Sequence, residues 1–364
     1  MDIAVVLGTR PQIIKSAPVI KKLASRRGCK LHIIHTGQHY DFELSKVFFN
    51  EMSLPDPELN LGVREDSHAK QTAAMMVGLE RGLSKLDPDI VLVPGDTNSA
   101  LAAALVAVKL RIPMAHLEAG PRQFDISNPE EANRIVVDHL STLAFAPSPS
   151  SVRNLRREGF RGNRLQFTGD TMLDCLIQHI EWAKEVDVES KFGLKKGEFV
   201  LTTIHRQENT ETAAKLKGVV DSIVSAKQLR FAFPVHPRTR RFLRLYGLWK
   251  RLATARNVSI LPPVSYENNL ALLLNARLVM TDSGGLQKEA FWVGVPCVTV
   301  FKSTPWPETL FGRANRCTEP ETDSLASALQ QAEGVHVDIR RSSRLFGDGH
   351  ASEKVCNSLL AFNS

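Results

Sequence analysis

Short apolar runs recur along the chain, and nearly every one stops abruptly at small, charged or imidazole residues. "DIAVVLG" ends on Gly8-Thr9-Arg10-Pro11, "CKLHIIHTG" runs into Gln38-His39-Tyr40-Asp41, "DIVLVPGD" ends at Asp96 and "IPMAHLEAG" passes through Glu118. Amphipathic segments of helical period lie between them, such as "PQIIKSAPVIKKLASR" and "SHAKQTAAMMVGLERGLSKL", the second with Ser67 placed as an N-cap. Repeated strand–helix–strand punctuation predicts a parallel, doubly wound sheet with helices on both faces. Ligands of such sheets bind beyond the carboxyl ends of the strands, which is where the chemistry-bearing residues fall.

The same rhythm resumes after a long helical segment, "DTMLDCLIQHIEWAKEV", with strand-like "EFVLTTIHR", "QLRFAFPVH", "NVSILPP", "ARLVMTDSGG" and "VPCVTVF". The chain therefore reads as two Rossmann-like halves, residues 1–169 and 170–349, with a closing helix over 350–364. A length of 364 residues is enough for a full core in each half. Five cysteines, widely spaced and without a CxxC, argue against a disulfide framework or a zinc site and fit a reducing, cytoplasmic compartment. No apolar run reaches the roughly 18 residues that a membrane span requires. The formal net charge of +7 comes without a nucleic-acid motif, and its densest cluster, residues 236–251, reads as a solvated helix face.

"TDSGGLQKEA" puts Ser283-Gly284-Gly285 between a strand and a helix, where small residues let backbone N–H groups approach a phosphate. The plainer reading is an N-cap and a tight turn. Glu289 follows at a distance suited to ribose hydroxyls. Asp96, Glu118, Glu130 and Glu131 gather carboxylates at strand ends of the first half, as acid/base chemistry requires, and Arg134 lies beside them. Taken singly, each also fits a structural role; Asp96 before a helix would be an ordinary N-cap. In the second half His205, followed by Arg206, and His236 with Arg238 end successive strands, and Arg10 and Lys15 add a cationic rim suited to an anionic ligand. GxGxxG and GxxxxGK[ST] are absent, which disfavours dinucleotide and P-loop readings.

Taken in order, "GTRP..IK", "HTGQHYD", "GDTNS.LA", "EAG.R", "PEE.NR", "HR.EN", "HPRT", "TDSGG.Q.EA", "WPE" and "GDG.AS" resemble the UDP-N-acetylglucosamine 2-epimerase family over essentially the whole chain. The resemblance implies a GT-B type α/β fold, two Rossmann-like doubly wound domains facing a deep cleft, usually as a homodimer, with the last helix returning to the first domain. It implies reversible inversion of C2 in a UDP-2-acetamido sugar by loss and re-addition of UDP, with neither redox cofactor nor metal. It makes Asp96, Glu118, Glu130 and His205 catalytic, and Arg10, Lys15, Ser283, Gly284, Gly285 and Glu289 substrate-binding; Arg134, His236 and Arg238 join the binding set from the reading above.

Several positions depart from the family pattern. Gln12 stands for the usual glutamate of "GTRPE", Phe301 and Trp306 stand where arginines are common, and Asn268 and Asn269 replace an aromatic, leaving Tyr266 as a candidate for uracil stacking. Gln38-His39-Tyr40 differs from the "QHR" of allosterically activated members. The rival readings are the same chemistry on a 2,3-diacetamido uronate, whose extra carboxylate would call on Arg122, Arg134 or Arg238, a hydrolysing 2-epimerase, a GT-B glycosyltransferase and a non-catalytic nucleotide-sugar sensor.

Overall fold

The computed structural model describes residues 1–38, 42–65, 67–338 and 344–362, with the side chains of 42–45 set aside; His39, Tyr40 and Asp41 lie outside the described residues. The chain forms two units, Met1–Ile177 with Arg344–Ser364 and Gln178–Ser343. Each is built on one parallel sheet.

The first sheet has seven strands: Asp2–Leu7 (β1), Lys30–His35 (β2), Leu59–Asn60 (β3), Ile90–Pro94 (β4), Met114–Leu117 (β5), Leu143–Ala146 (β6) and Leu165–Phe167 (β7). Their order is β3-β2-β1-β4-β5-β6-β7. Helices cover both faces, so the central strands are apolar at every position: Ile3–Leu7 and Ile90–Val93 are fully buried, each side chain contributing about 1.5–3 kcal/mol by leaving water. The strand order reverses between β1 and β4, so the crevice that such a sheet offers a ligand opens at Gly8 and Gly95. Gly8 has no room for a side chain: a Cβ there would lie 2.0 Å from Ser99 Oγ and 2.2 Å from Thr36 Oγ1.

The second sheet has six strands, Phe199–Thr203 (β8), Arg230–Pro234 (β9), Val258–Leu261 (β10), Leu278–Thr281 (β11), Cys297–Thr299 (β12) and Asn315–Cys317 (β13), in the order β10-β9-β8-β11-β12-β13. Its reversal lies between β8 and β11, whose ends carry His205 and Asp282-Ser283. The expected α/β architecture of two parallel sheets is thus present. The sequence reading passed over β3, β7 and β13, strands of two or three residues whose apolar signal is too brief to show a period.

The last helix, Ala351–Leu360, belongs to the first unit. Asp174, in the helix Thr171–Glu185, accepts from Ala351 N (3.1 Å), Ser352 N (2.7 Å) and Ser352 Oγ (2.6 Å), which caps it. Lys22 and Arg26 of the helix Arg10–Ala24 pair with Glu353 at 2.8 and 2.9 Å.

Candidate active site

In the first unit the ends of β1, β4 and β5 bring the predicted residues together. Pro11 opens the helix Arg10–Ala24, its missing N–H costing nothing in the first turn. Gln12 locks that turn: its Oε1 accepts from Gly8 N (2.9 Å) while its Nε2 donates to Pro94 O (2.8 Å), tying β1 to β4. A glutamate could accept the first bond but, ionised, could not donate the second, which accounts for the amide at this position. Arg10 lies 4.5 Å from the Phe48 ring centroid. Lys15, one helical turn on, forms an ion pair with Glu118, both side chains only 10% exposed. A Cβ on Gly95 (φ +68°) would sit 3.0 Å from Lys15 Nζ, so glycine makes room for the pair. Glu118 itself adopts φ +73°, a left-handed conformation that costs a non-glycine residue roughly 1–2 kcal/mol.

Asp96 does not cap the following helix. Thr97 does so, accepting from Ala100 N, and the Asp96 carboxylate instead receives Arg134 Nε at 3.1 Å. Arg134 also donates to Glu131 at 2.7 Å. Burial disfavours the Arg134 charge, but Asp96, Glu130 and Glu131 outweigh it and hold its pKa above the ordinary value. The two adjacent glutamates separate in role. Glu131 is buried and accepts from Gln123 N and Phe124 N (3.0 and 2.8 Å), shaping the loop. Glu130, half-buried in the first helical turn behind the Asn128 cap, adds its charge to the field that favours the Arg134 cation.

Behind these residues runs a buried chain of ionic contacts that the sequence reading missed. His116 Nδ1 lies 2.6 Å from Asp138 Oδ1, and its Nε2 lies 2.8 Å from Gly95 O, both within hydrogen-bond distance. Asp138 accepts also from Gly120 N (3.1 Å) and Arg122 Nη2 (2.6 Å), and Arg122 forks onto Glu158 at 2.8 and 2.6 Å. Burial alone would push Asp138 up; the His116 and Arg122 charges and hydrogen bonds overcome it and hold it below the usual carboxylate range. Burial likewise opposes the Arg122 charge, and Glu158 and Asp138 raise its pKa in spite of it.

In the second unit Asp282 plays the corresponding part. Fully buried at the end of β11, it accepts from the backbone N–H of His205 (3.0 Å) and Arg206 (2.9 Å), from Asn209 Nδ2 (3.2 Å) and from His205 Nδ1 (3.1 Å). Burial opposes its charge, yet His205, the Arg206 N–H and Asn209 keep its pKa low. The His205 ring is 34% exposed and lies 5.7 Å from the ring of His236, whose Nδ1 caps the next helix at Arg238 N. Arg238 pairs with Glu211 at the surface and donates to Thr210 Oγ1 at 3.1 Å.

Ser283 caps the helix Gly284–Val293 through Leu286 N (3.3 Å), as the plainer reading held, and Gly284-Gly285 open it. A Cβ on Gly284 would lie 3.5 Å from Trp306 Nε1 and 3.8 Å from Arg206 Nη2, so an arginine and an indole N–H flank the loop. Lys288 Nζ sits 3.9 Å from the Trp306 ring centroid, a buried cation under the aromatic face. Glu289 is buried in the same helix. Tyr266, offered above for base stacking, is buried and set edge-on to His179 with centroids 5.6 Å apart, so its face is not available.

The first unit thus places carboxylates beside fixed cations, an arrangement for moving a proton at carbon. The second places a half-exposed histidine, an arginine and a helix N-terminus together, an arrangement for a negatively charged group. Among the described residues no group of three or more His, Cys, Asp or Glu side chains is placed to hold a metal ion, and no helix is long and apolar enough to cross a membrane.

Residues 21–360 match the family model described as UDP-N-acetylglucosamine 2-epimerase. The chain is 38% identical to the UDP-N-acetylglucosamine 2-epimerase of Methanocaldococcus jannaschii over 99% of each chain. It is 36% identical to the UDP-2,3-diacetamido-2,3-dideoxy-D-glucuronate 2-epimerase of Pseudomonas aeruginosa, again over 99% of each. The crystal structure of the M. jannaschii enzyme in complex with UDP-GlcNAc and UDP superposes with a TM-score of 0.92 over 100% of both chains.

Proposed function

The chain belongs to the UDP-N-acetylglucosamine 2-epimerase family, and on that premise we propose that it inverts C2 of a UDP-2-acetamido sugar, converting UDP-GlcNAc to UDP-ManNAc and back. The observation that carries this reading is the cluster at the ends of β1, β4 and β5, where Asp96 and the strained Glu118 stand beside Arg134 and Lys15.

The chemistry explains why both charges are needed. The C2 hydrogen is not adjacent to a carbonyl, so direct deprotonation is too costly. Breaking the C1–O bond sends its electron pair to UDP and leaves positive charge at C1, which acidifies C2–H. A carboxylate takes that proton and a glycal forms; a second acid then protonates C2 from the opposite face, and UDP adds back at C1. Asp96, Glu118 and Glu130 supply the acid and base groups in this reading. His205, steadied by Asp282, serves the departing and returning diphosphate oxygen, with Arg206 and the Ser283–Gly285 loop holding its charge and Glu289 serving the ribose. Arg10, Lys15, His236 and Arg238 complete the binding set. The first unit acts on the sugar and the second on UDP, and the enzyme works as a cytoplasmic homodimer.

The diacetamido uronate of the P. aeruginosa relative carries one more carboxylate and calls for one more cation. Arg122 is buried and forked onto Glu158 and Asp138, and Arg134 is committed to Asp96 and Glu131. Only Arg238, in a surface pair, stands outside such a buried commitment among the three candidates. The simpler sugar is therefore the better fit. Proton NMR of UDP-GlcNAc incubated with the enzyme in deuterated buffer tests this: deuterium at C2 with UDP-ManNAc formed is the expected result. Turnover of the diacetamido uronate alone would move the assignment to that substrate, and release of free sugar would make the enzyme a hydrolase.

A further inference from the structure

Glu118 holds a backbone conformation that its surroundings must impose, and the residues that impose it share one acceptor. Two positions before Glu118 lies His116, and two positions after it lies Gly120. Both bind Asp138, His116 through Nδ1 at 2.6 Å and Gly120 through its backbone N–H at 3.1 Å. Asp138 comes from the last turn of the helix Pro129–Leu140 and is fully buried, as is the His116 side chain. The strained residue is therefore bracketed by a single carboxylate. The other face of the imidazole reaches across the sheet, where Nε2 meets Gly95 O at 2.8 Å, the carbonyl immediately before Asp96.

Both partners of the ring are acceptors. A carbonyl oxygen carries no proton, and Asp138, whose Oδ2 takes Gly120 N and the permanently charged Arg122 Nη2, is held ionised with its pKa below the usual carboxylate range, so its Oδ1 has no hydrogen to give the ring. Each ring nitrogen then has to carry a hydrogen. The charged groups beyond the ring leave room for one more cation: Arg122 faces both Asp138 and Glu158.

We propose that His116 is a positioning residue that functions as a buried imidazolium, tying the loop that carries Asp96 to the loop that carries Glu118 and so fixing the spacing of the two carboxylates that work on the sugar. A neutral imidazole would satisfy one loop and release the other. The proposal deepens the epimerase reading and rests on it for the identity of the reaction.

The first test uses the intact protein with selectively 15N-labelled histidine. The His116 ring is expected to show two directly bonded N–H protons at neutral pH, assigned by their loss in His116→Gln. A single N–H proton would overturn the imidazolium. The second test is kinetic. His116→Gln, which can donate to only one of the two acceptors, is expected to lower kcat for C2 epimerisation about 100-fold, the scale of a misplacement near 1 Å, with KM changed less than about twofold. A kcat within threefold of the parent, or a loss confined to KM, would overturn the positioning role. Asp138→Asn guards against a misfolded first variant. Its amide donates to Nδ1, so the ring should keep only the Nε2 proton and kcat should fall at least about tenfold; unchanged kcat with a neutral ring would overturn the proposal. Absence of C2 exchange in the parent enzyme would defeat the epimerase reading instead, and the two-proton signature is read independently of it.

Discussion

Each unit pairs a buried aspartate with a histidine, at the switch point of the sheet in the second unit and on the neighbouring strand β5 in the first, and the two pairs do opposite things. In the second unit His205 sets Nδ1 against Asp282 and leaves a ring one-third exposed. In the first unit both nitrogens of His116 meet partners inside the core. The aspartates look alike by burial and by lowered pKa. What differs is the second acceptor. A carbonyl behind the ring turns an imidazole into a strut; a partly exposed ring stays able to exchange a proton.

The sharpest way to break this contrast is kinetic. His205→Asn is expected to lower kcat by roughly 10²–10⁴ with stability nearly unchanged, measured by steady-state conversion of UDP-GlcNAc and urea unfolding. A larger stability loss than that of His116→Gln would invert the assignment of strut and shuttle. Next come the aspartates. Asp138→Asn leaves the buried Arg122 short of a counter-charge and makes His116 give up a proton, and should cost about 3–5 kcal/mol. Asp282→Asn disturbs mainly backbone donors and a half-exposed ring, and should cost about 1–3 kcal/mol. Equal losses in urea would mean that exposure of the histidine is not what separates the two sites.

Acid unfolding sharpens the comparison further. Both aspartates have folded-state pKa values below their unfolded values, so the unfolded chain takes up protons first as pH falls. Their contribution is complete above the ordinary carboxylate value near 4 and is lost as pH drops through the depressed folded values. Melting temperature followed from pH 6 to pH 2 should fall steeply below about pH 4, and each asparagine variant should flatten the curve. Smaller still is Gln12→Glu, expected to cost about 1–3 kcal/mol because Pro94 O loses its donor while activity persists at a reduced rate. The least is Glu211→Gln: its pair with Arg238 lies at the surface, and the change in urea midpoint should correspond to less than about 1 kcal/mol.

The two sheets were legible in the sequence because buried parallel strands are apolar throughout and end in polar residues, and ten of the thirteen strands among the described residues carry that mark. The three that did not, β3, β7 and β13, are edge strands of two or three residues. The residues at strand ends were legible for the same reason, and the structure gathers Asp96, Glu118, Arg134 and Lys15 in one unit and His205, Arg206 and Ser283 in the other. Their supports were not. Asp138 sits in the last turn of an amphipathic helix and meets a histidine 22 positions earlier, and Asp282 meets one 77 positions away. No local period links such pairs. Glu130 and Glu131 were likewise inseparable on the page: adjacent helix residues always face different directions, and only docking decides which of the two meets the loop. The amide of Gln12 looked like a departure and is a two-way tie between strands.

The helix Ala351–Leu360 completes the first unit after residues 178–343 have built the second. On a ribosome, where domains fold as they emerge, the contiguous second unit has its whole sheet available while the first still lacks the helix that Asp174 caps and Lys22 grips. The surface of Arg10–Ala24 that this helix covers, including Val19 beneath Cys356, waits uncovered until then. Birth order and chain order therefore disagree in this molecule: the half that starts first is the half that finishes last.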